Sequence, residues 1–172
     1  MRGVISGDQV GHLLQPLGEL PSLLGEITSN IDMCNEVTDS LAGSDHFLFL
    51  GRGLQFPIAM EGALKLKELA YIHAEGYPAG EMKHGPLALI EKGMPVVVLA
   101  PRDKYYKKTI SNMQEVISRG AKVLLITNKS KDEIYSENIW QTIEVENVSD
   151  DLLPFLITVP LQKLAYYTAL KK

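Results

Sequence analysis

A single cysteine, Cys34, occurs in the 172 residues. One thiol excludes an internal disulfide and any metal site built on paired thiolates. Cys34 falls in the apolar series Leu24, Ile27, Ile31, Cys34, Val37, Leu41, a helical spacing that reads as packing rather than nucleophilic chemistry. No apolar run approaches the ~20 residues of a membrane span. The first residues carry no apolar signal-peptide core, so a cytoplasmic setting without membrane contact is expected. Charge of one sign is also lacking. Lys and Arg number 17 against 21 Asp and Glu, for a net charge of −4, which offers no field for nucleic acid. No internal repeat or low-complexity segment is visible. The 45% hydrophobic and 22% charged content is ordinary for a globular chain, and the length suits one domain with a single core.

In chain order, Ser6 with Gln9 fits a capping box, and Pro16 and Gly18 are expected to stop that helix within about three turns. Pro21 then suits the first turn of a second helix, whose apolar series ends at Leu41 before Gly43. A strand is expected over His46 to Leu50, a helix from about Phe56 to His73, and an extended or looping segment over Ala74 to Ala79. Glu81 to Leu89 reads as a short helix. Pro95 to Ala100 and Lys122 to Thr127 are near-continuous apolar runs, as for strands covered on both faces. Between them lies a helix from about Lys104 to Arg119. Residues 129–138 read as a loop with a helical turn, and Thr142 to Val145 as an edge strand. Ser149 or Asp150 is expected to cap a last helix that is kinked or reset at Pro160. The alternation from residue 46 onward implies a parallel sheet with helices on both faces. Residues 1–44 read as a helical segment packing on a domain of residues 45–172.

The candidate chemistry sits in residues 46–90. Strand, Gly51-Arg52-Gly53 turn and helix form the layout in which helix-start amides meet an anion. Gly-Arg-Gly alone is a weak signal. In the helix, Glu61, Lys65 and Glu68 share one stripe, opposite Ala59, Ala63, Leu66 and Ala70. A surface salt bridge is the commonest fate of such a pair. A second polar cluster, Glu81, Lys83 and His84, precedes Gly85-Pro86.

The runs EGALKLKELAYIHAE (61–75) and GYPAGEMKHGPLALI (76–90) closely resemble the second sugar-isomerase (SIS) domain of glucosamine-6-phosphate synthases. PVVVLAP (95–101) and TVPLQKLAYYTAL (158–170) extend the likeness over nearly the whole chain from about Asp45. The resemblance implies a three-layer αβα sandwich of flavodoxin-like character, with a mainly parallel sheet of four to five strands. It implies a part in making glucosamine 6-phosphate from fructose 6-phosphate and glutamine. In that reading Glu68 is the base that moves a proton between sugar carbons, Lys65 supports it, and His84 opens the sugar ring, reaching into a neighbouring subunit's site. His73, Glu75, Glu81 and Lys83 read as structural support.

The implied partners are fructose 6-phosphate and glucosamine 6-phosphate, the first SIS domain, the glutaminase domain, and a second copy in a homodimer. No metal or organic cofactor is implied. If two copies pair, the apolar last helix, Leu153 to Ala169, is expected at the contact. The chain also departs from the family. Its Gly51 to Gln55 turn has no hydroxyl, whereas a SIS phosphate loop presents several. The family's Schiff-base lysine, in a tail past the last helix, and its nucleophilic glutaminase cysteine have no counterpart. The resemblance therefore implies an inactive fragment. The alternatives are a non-catalytic sugar-phosphate-binding or dimerisation module, and a stand-alone phosphosugar isomerase.

Overall fold

A computed structural model describes residues 6–30, 37–39, 41, 43–128 and 138–172; Cys34 and all but the last of residues 129–138, expected to be a loop, lie outside them. Among the described residues the order is α1 (Gly7–Ser29), β1 (His46–Gly51), α2 (Gln55–Ala70), β2 (His73–Pro78), two 3-10 turns (Ala79–His84 and Pro86–Leu89), β3 (Pro95–Leu99), α3 (Tyr106–Ser118), β4 (Lys122–Asn128), β5 (Gln141–Val145) and α4 (Leu153–Lys171).

The five strands form one sheet in the order β2-β1-β3-β4-β5, and every neighbouring pair is parallel. That order is the flavodoxin-like doubly wound arrangement, with its switch point between β1 and β3. The continuous apolar runs serve both faces, because successive side chains alternate. Phe47, Phe49, Val97, Leu99, Leu124 and Ile126 join α1, α2 and α4 in one core. Leu48, Leu50, Val96, Val98, Val123 and Leu125 join Met113 and Val116 of α3, with Ala79 and Met82, in the other. The three-layer sandwich expected from the sequence is thus present, with β5 at an edge.

Local expectations are corrected at several points. The capping box at Ser6 and Gln9 forms, but α1 runs through Pro16, Gly18 and Pro21 to Ser29 as one helix. Gly18 and Pro21 are exposed, so water can take a carbonyl that the proline ring leaves unbonded. Leu20 and Ile27 are buried on the inner side and repay the break.

The helix expected to reach His73 stops at Ala70, and His73–Pro78 is a strand, the extended option of the two expected over Ala74 to Ala79. It pairs with β1 from His46↔His73 to Gly51↔Pro78, its outer edge is open, and it therefore lacks the apolar run of a central strand. The Glu81 to Leu89 helix is two 3-10 turns, separated by Gly85 at φ 140°. No side chain caps α4; the main-chain carbonyl of Ser149 receives the amides of Leu152 and Leu153.

The expectation of a bare α4 face is also corrected. Leu153, Leu156, Ile157, Leu161, Leu164 and Ala165 are buried inside the chain, against α2, α1 and the sheet. Gly62 makes this possible, since a Cβ there would meet Leu161 Cδ1 at 3.0 Å and the Phe49 ring at 3.1 Å.

Candidate functional site

Helix α2 starts at the carboxyl end of β1 and returns along the sheet. Gln55, Ala59, Gly62, Ala63, Leu66 and Ala70 are its buried residues, so Glu61, Lys65 and Glu68 face outward. Lys65 Nζ donates to Glu68 Oε2 at 2.6 Å and stands 3.7 Å from Glu61 Oε1. The stripe is open to solvent, with the Glu68 side chain 49% exposed and that of Lys65 30%. The hydrogen bond to Glu68, and then the charges of Glu68 and Glu61, raise the Lys65 ammonium above its ordinary pKa. Lys65 therefore remains a cation across the neutral range. Large apolar side chains flank the stripe: Met60, Leu64, Leu69 and Tyr71 are all exposed, and Tyr71 ends the helix in the left-handed conformation.

His84 is elsewhere. It ends the first 3-10 turn, where its Nε2 lies 3.7 Å from Glu81 Oε2 and its side chain is 75% exposed. The same turn is held from its start to the residue before His84, because Ala79 and Met82 are fully buried and Lys83 Nζ pairs with Glu115 of α3 at 2.9 Å. The structure thus brings Lys65 and Glu68 together and holds His84 apart from them, on a different outward surface.

Arg52 does not stand in an open anion seat. Its guanidinium lies over Gly80, where a Cβ would meet Nη1, Cζ and Nη2 at 3.1–3.2 Å. Gly53, at φ +57°, has the Tyr105 ring against its missing Cβ. His73 and Glu75 support an edge cluster. The His73 and His46 rings meet edge-on at 5.6 Å, His73 Nε2 is 3.5 Å from Glu75 Oε1, and Tyr77 donates a short hydrogen bond to Glu75. That bond raises the Tyr77 pKa, with burial adding to it.

Two cavities touch this cluster. One of about 640 Å³ opens at the amino ends of β1, β2 and β3, lined by residues including Asp45, His46, His73, Glu75 and Lys92. Another of about 330 Å³ lies between α2 and β2, beside Met60, Lys67 and Tyr77. Neither includes Lys65, Glu68 or His84. The amino-end cavity was not foreseen: its residues come from three strand starts that are distant in sequence. Among the described residues no group of three or more His, Cys, Asp or Glu side chains is arranged to hold a metal. No helix among them is long and apolar enough to cross a membrane.

Comparison with known proteins adds a family pattern. The SIS domain matches residues 40–172. The chain is 48% identical over 168 residues to a glutamine–fructose-6-phosphate aminotransferase (isomerizing) of Brucella abortus. It is 46% identical over 169 residues to one of Rhizobium meliloti. In both cases 98% of the chain is covered, and it spans 28% of the relative's length. Among solved structures, the C-terminal domain of glucosamine-fructose-6-phosphate aminotransferase from Francisella tularensis superposes with a TM-score of 0.92 at 40% identity, covering 98% of this chain and 47% of that one.

Proposed function

Because the chain belongs to the SIS domain family, we propose that it is the isomerase half-site of a glutamine–fructose-6-phosphate aminotransferase. In this reading it carries the proton-transfer groups for converting a ketose phosphate into an aldose phosphate. The observation that carries it is the 2.6 Å Lys65–Glu68 pair on an outward helix face, within a chain that is 46–48% identical to such aminotransferases.

Moving a proton between adjacent sugar carbons needs a base that can take it and return it. Lys65 engages Oε2 of Glu68 and leaves Oε1 for the proton. As a positive group beside the base, Lys65 also suits the oxygen on which negative charge develops. His84, on its exposed turn, is the acid–base group for opening the sugar ring.

The phosphate is seated by another surface. The turn at the carboxyl end of β1 holds no hydroxyl, its Arg52 is packed on Gly80, and the Lys65–Glu68 face is open. A second SIS domain laid on α2 fits these facts. Met60, Leu64, Leu69 and Tyr71 give the face apolar area to bury, and covering it would exclude water from the ion pair. Pairing of two copies brings His84 of one to the Glu68 face of the other. The same apolar rim favours a second reading, in which this face is an assembly surface without turnover.

The two readings part in one experiment. A hybrid is made in which this chain replaces the matching segment of the Brucella abortus relative. The catalytic reading expects glucosamine 6-phosphate from the hybrid, a loss of about 100-fold or more in kcat for Glu68→Gln, and none from the 172-residue chain alone. An active hybrid in which Glu68→Gln keeps full kcat would leave only the assembly reading.

A further inference from the structure

In doubly wound sheets a ligand usually occupies the crevice outside the carboxyl ends of the strands, at the switch point. Here Arg52 of the β1–α2 turn lies beside that point. We propose that Arg52 is a positioning residue for His84, docking the 3-10 turn Ala79–His84 onto the start of α2; this rests on the reading that His84 takes part in catalysis.

Three observations bear on the turn, the first of them the contact itself. First, Nη1, Cζ and Nη2 of Arg52 all lie 3.1–3.2 Å from the Cβ position that Gly80 lacks. A planar guanidinium rests flat on the bare glycine, and an alanine there would displace it by a few tenths of an ångström. Second, Asn112 of α3 clamps the same place. With its amide turned so that nitrogen faces the main chain, it donates to Ala79 O at 3.1 Å and to Lys108 O at 3.0 Å. The opposite orientation gives one long contact, Arg52 Nη1 to Oδ1 at 3.4 Å; the two shorter bonds are the stronger arrangement. Third, the turn is anchored as far as the residue before His84, where Lys83 Nζ pairs with Glu115 of α3 at 2.9 Å. Ala79 and Met82 are buried, while His84 is exposed and is followed by Gly85 at φ 140°, with nothing within 4 Å of its Cβ position.

His84 therefore sits between a clamped segment and a joint that favours glycine, and the clamp decides where it points. Arg52 links that clamp to the helix bearing Lys65 and Glu68. A lysine does not replace it, because an ammonium on a flexible stem has no flat face to lay on Gly80.

The test uses Arg52→Met, Arg52→Lys and Gly80→Ala. Gly80→Ala keeps the guanidinium and disturbs only the contact. On the 172-residue chain, amide hydrogen exchange at residues 79–85 is expected to rise about tenfold in the two Arg52 variants and by less in Gly80→Ala, with α4 unchanged. In the hybrid enzyme, kcat falls while KM for fructose 6-phosphate stays within about twofold.

Unchanged exchange at 79–85 overturns the proposal. So does faster exchange with full kcat, or a large rise in KM with kcat kept, which would make Arg52 a phosphate contact. A hybrid inactive before any substitution counts against the functional reading instead, and the exchange comparison then decides on Arg52 alone.

Discussion

Lys163 Nζ donates to the carbonyl oxygen of Ile27 at 2.9 Å, although 136 positions separate the two residues. The same ammonium donates to Thr28 O at 3.1 Å and to Asn30 O, so its three donors all close on the end of α1. Lys163 is 9% exposed, and a cation at a helix carboxyl end is favoured by the helix dipole. Lys163→Met is expected to destabilise the chain by about 2 kcal/mol, the scale of a hydrogen-bonded buried charge. Lys163→Arg should recover part of it. Urea unfolding of the three proteins measures this, and equal midpoints for all three would contradict the latch.

Glycine contacts make a second prediction. A Cβ at Gly76 would sit 2.8 Å from Met60 Cα and 2.9 Å from its main-chain nitrogen, so Gly76→Ala must part β2 from α2. A loss of about 2 kcal/mol is expected. Gly85→Ala meets no atom but strains a backbone held at φ 140°, for about 1–2 kcal/mol. Thermal unfolding should show both variants less stable than Gly25→Ala, at an exposed helical site with nothing within 4 Å.

Tyr77 provides a pH signature. Its hydrogen bond to Glu75, then burial, raise its pKa above the ordinary 10.0. A group with a raised folded value binds its proton more tightly in the native state. The stability it adds is present below the unfolded pKa and lost as pH rises through the folded one. Ultraviolet difference titration of the native chain against Tyr77→Phe should show one tyrosine ionising above pH 10. Glu75→Gln should move that ionisation downward, and an ionisation unmoved in Glu75→Gln would contradict the assignment.

Lys65 behaves likewise on the open face. Its pKa is raised from 10.5, first by the hydrogen bond to Glu68, so the pair is intact at neutral pH and opens only in the alkaline range above that value. Side-chain nitrogen NMR of Lys65 should show the titration shift down in Glu68→Gln. Because the pair is exposed, global stability should hardly change; a large drop in the unfolding midpoint would mean that the pair serves the fold.

The strands with continuous apolar runs, β1, β3 and β4, were legible because burial on both faces leaves a local mark. The stripe of Lys65 and Glu68 was legible because helical spacing places them together without help from the rest of the chain. β2 was legible only as a segment either extended or looping, since HAEGYP is half-covered and gains its strand character from β1 beside it. The passage of α1 through Pro16 and Pro21 was hidden for a similar reason: what holds it is Leu20, Ile27 and the distant Lys163. The packing of Arg52 on Gly80, and the cavity at the strand starts, arise from residues joined only by the fold.

The most direct measurement follows solvent deuterium into the sugar. The hybrid enzyme is incubated with fructose 6-phosphate in D2O, and label at the sugar carbon that receives the proton is read by NMR. Glu68→Gln is expected to cut incorporation by about 100-fold or more while sugar phosphate still binds. Incorporation at the full rate in Glu68→Gln, with loss instead on substituting another residue, would contradict the account.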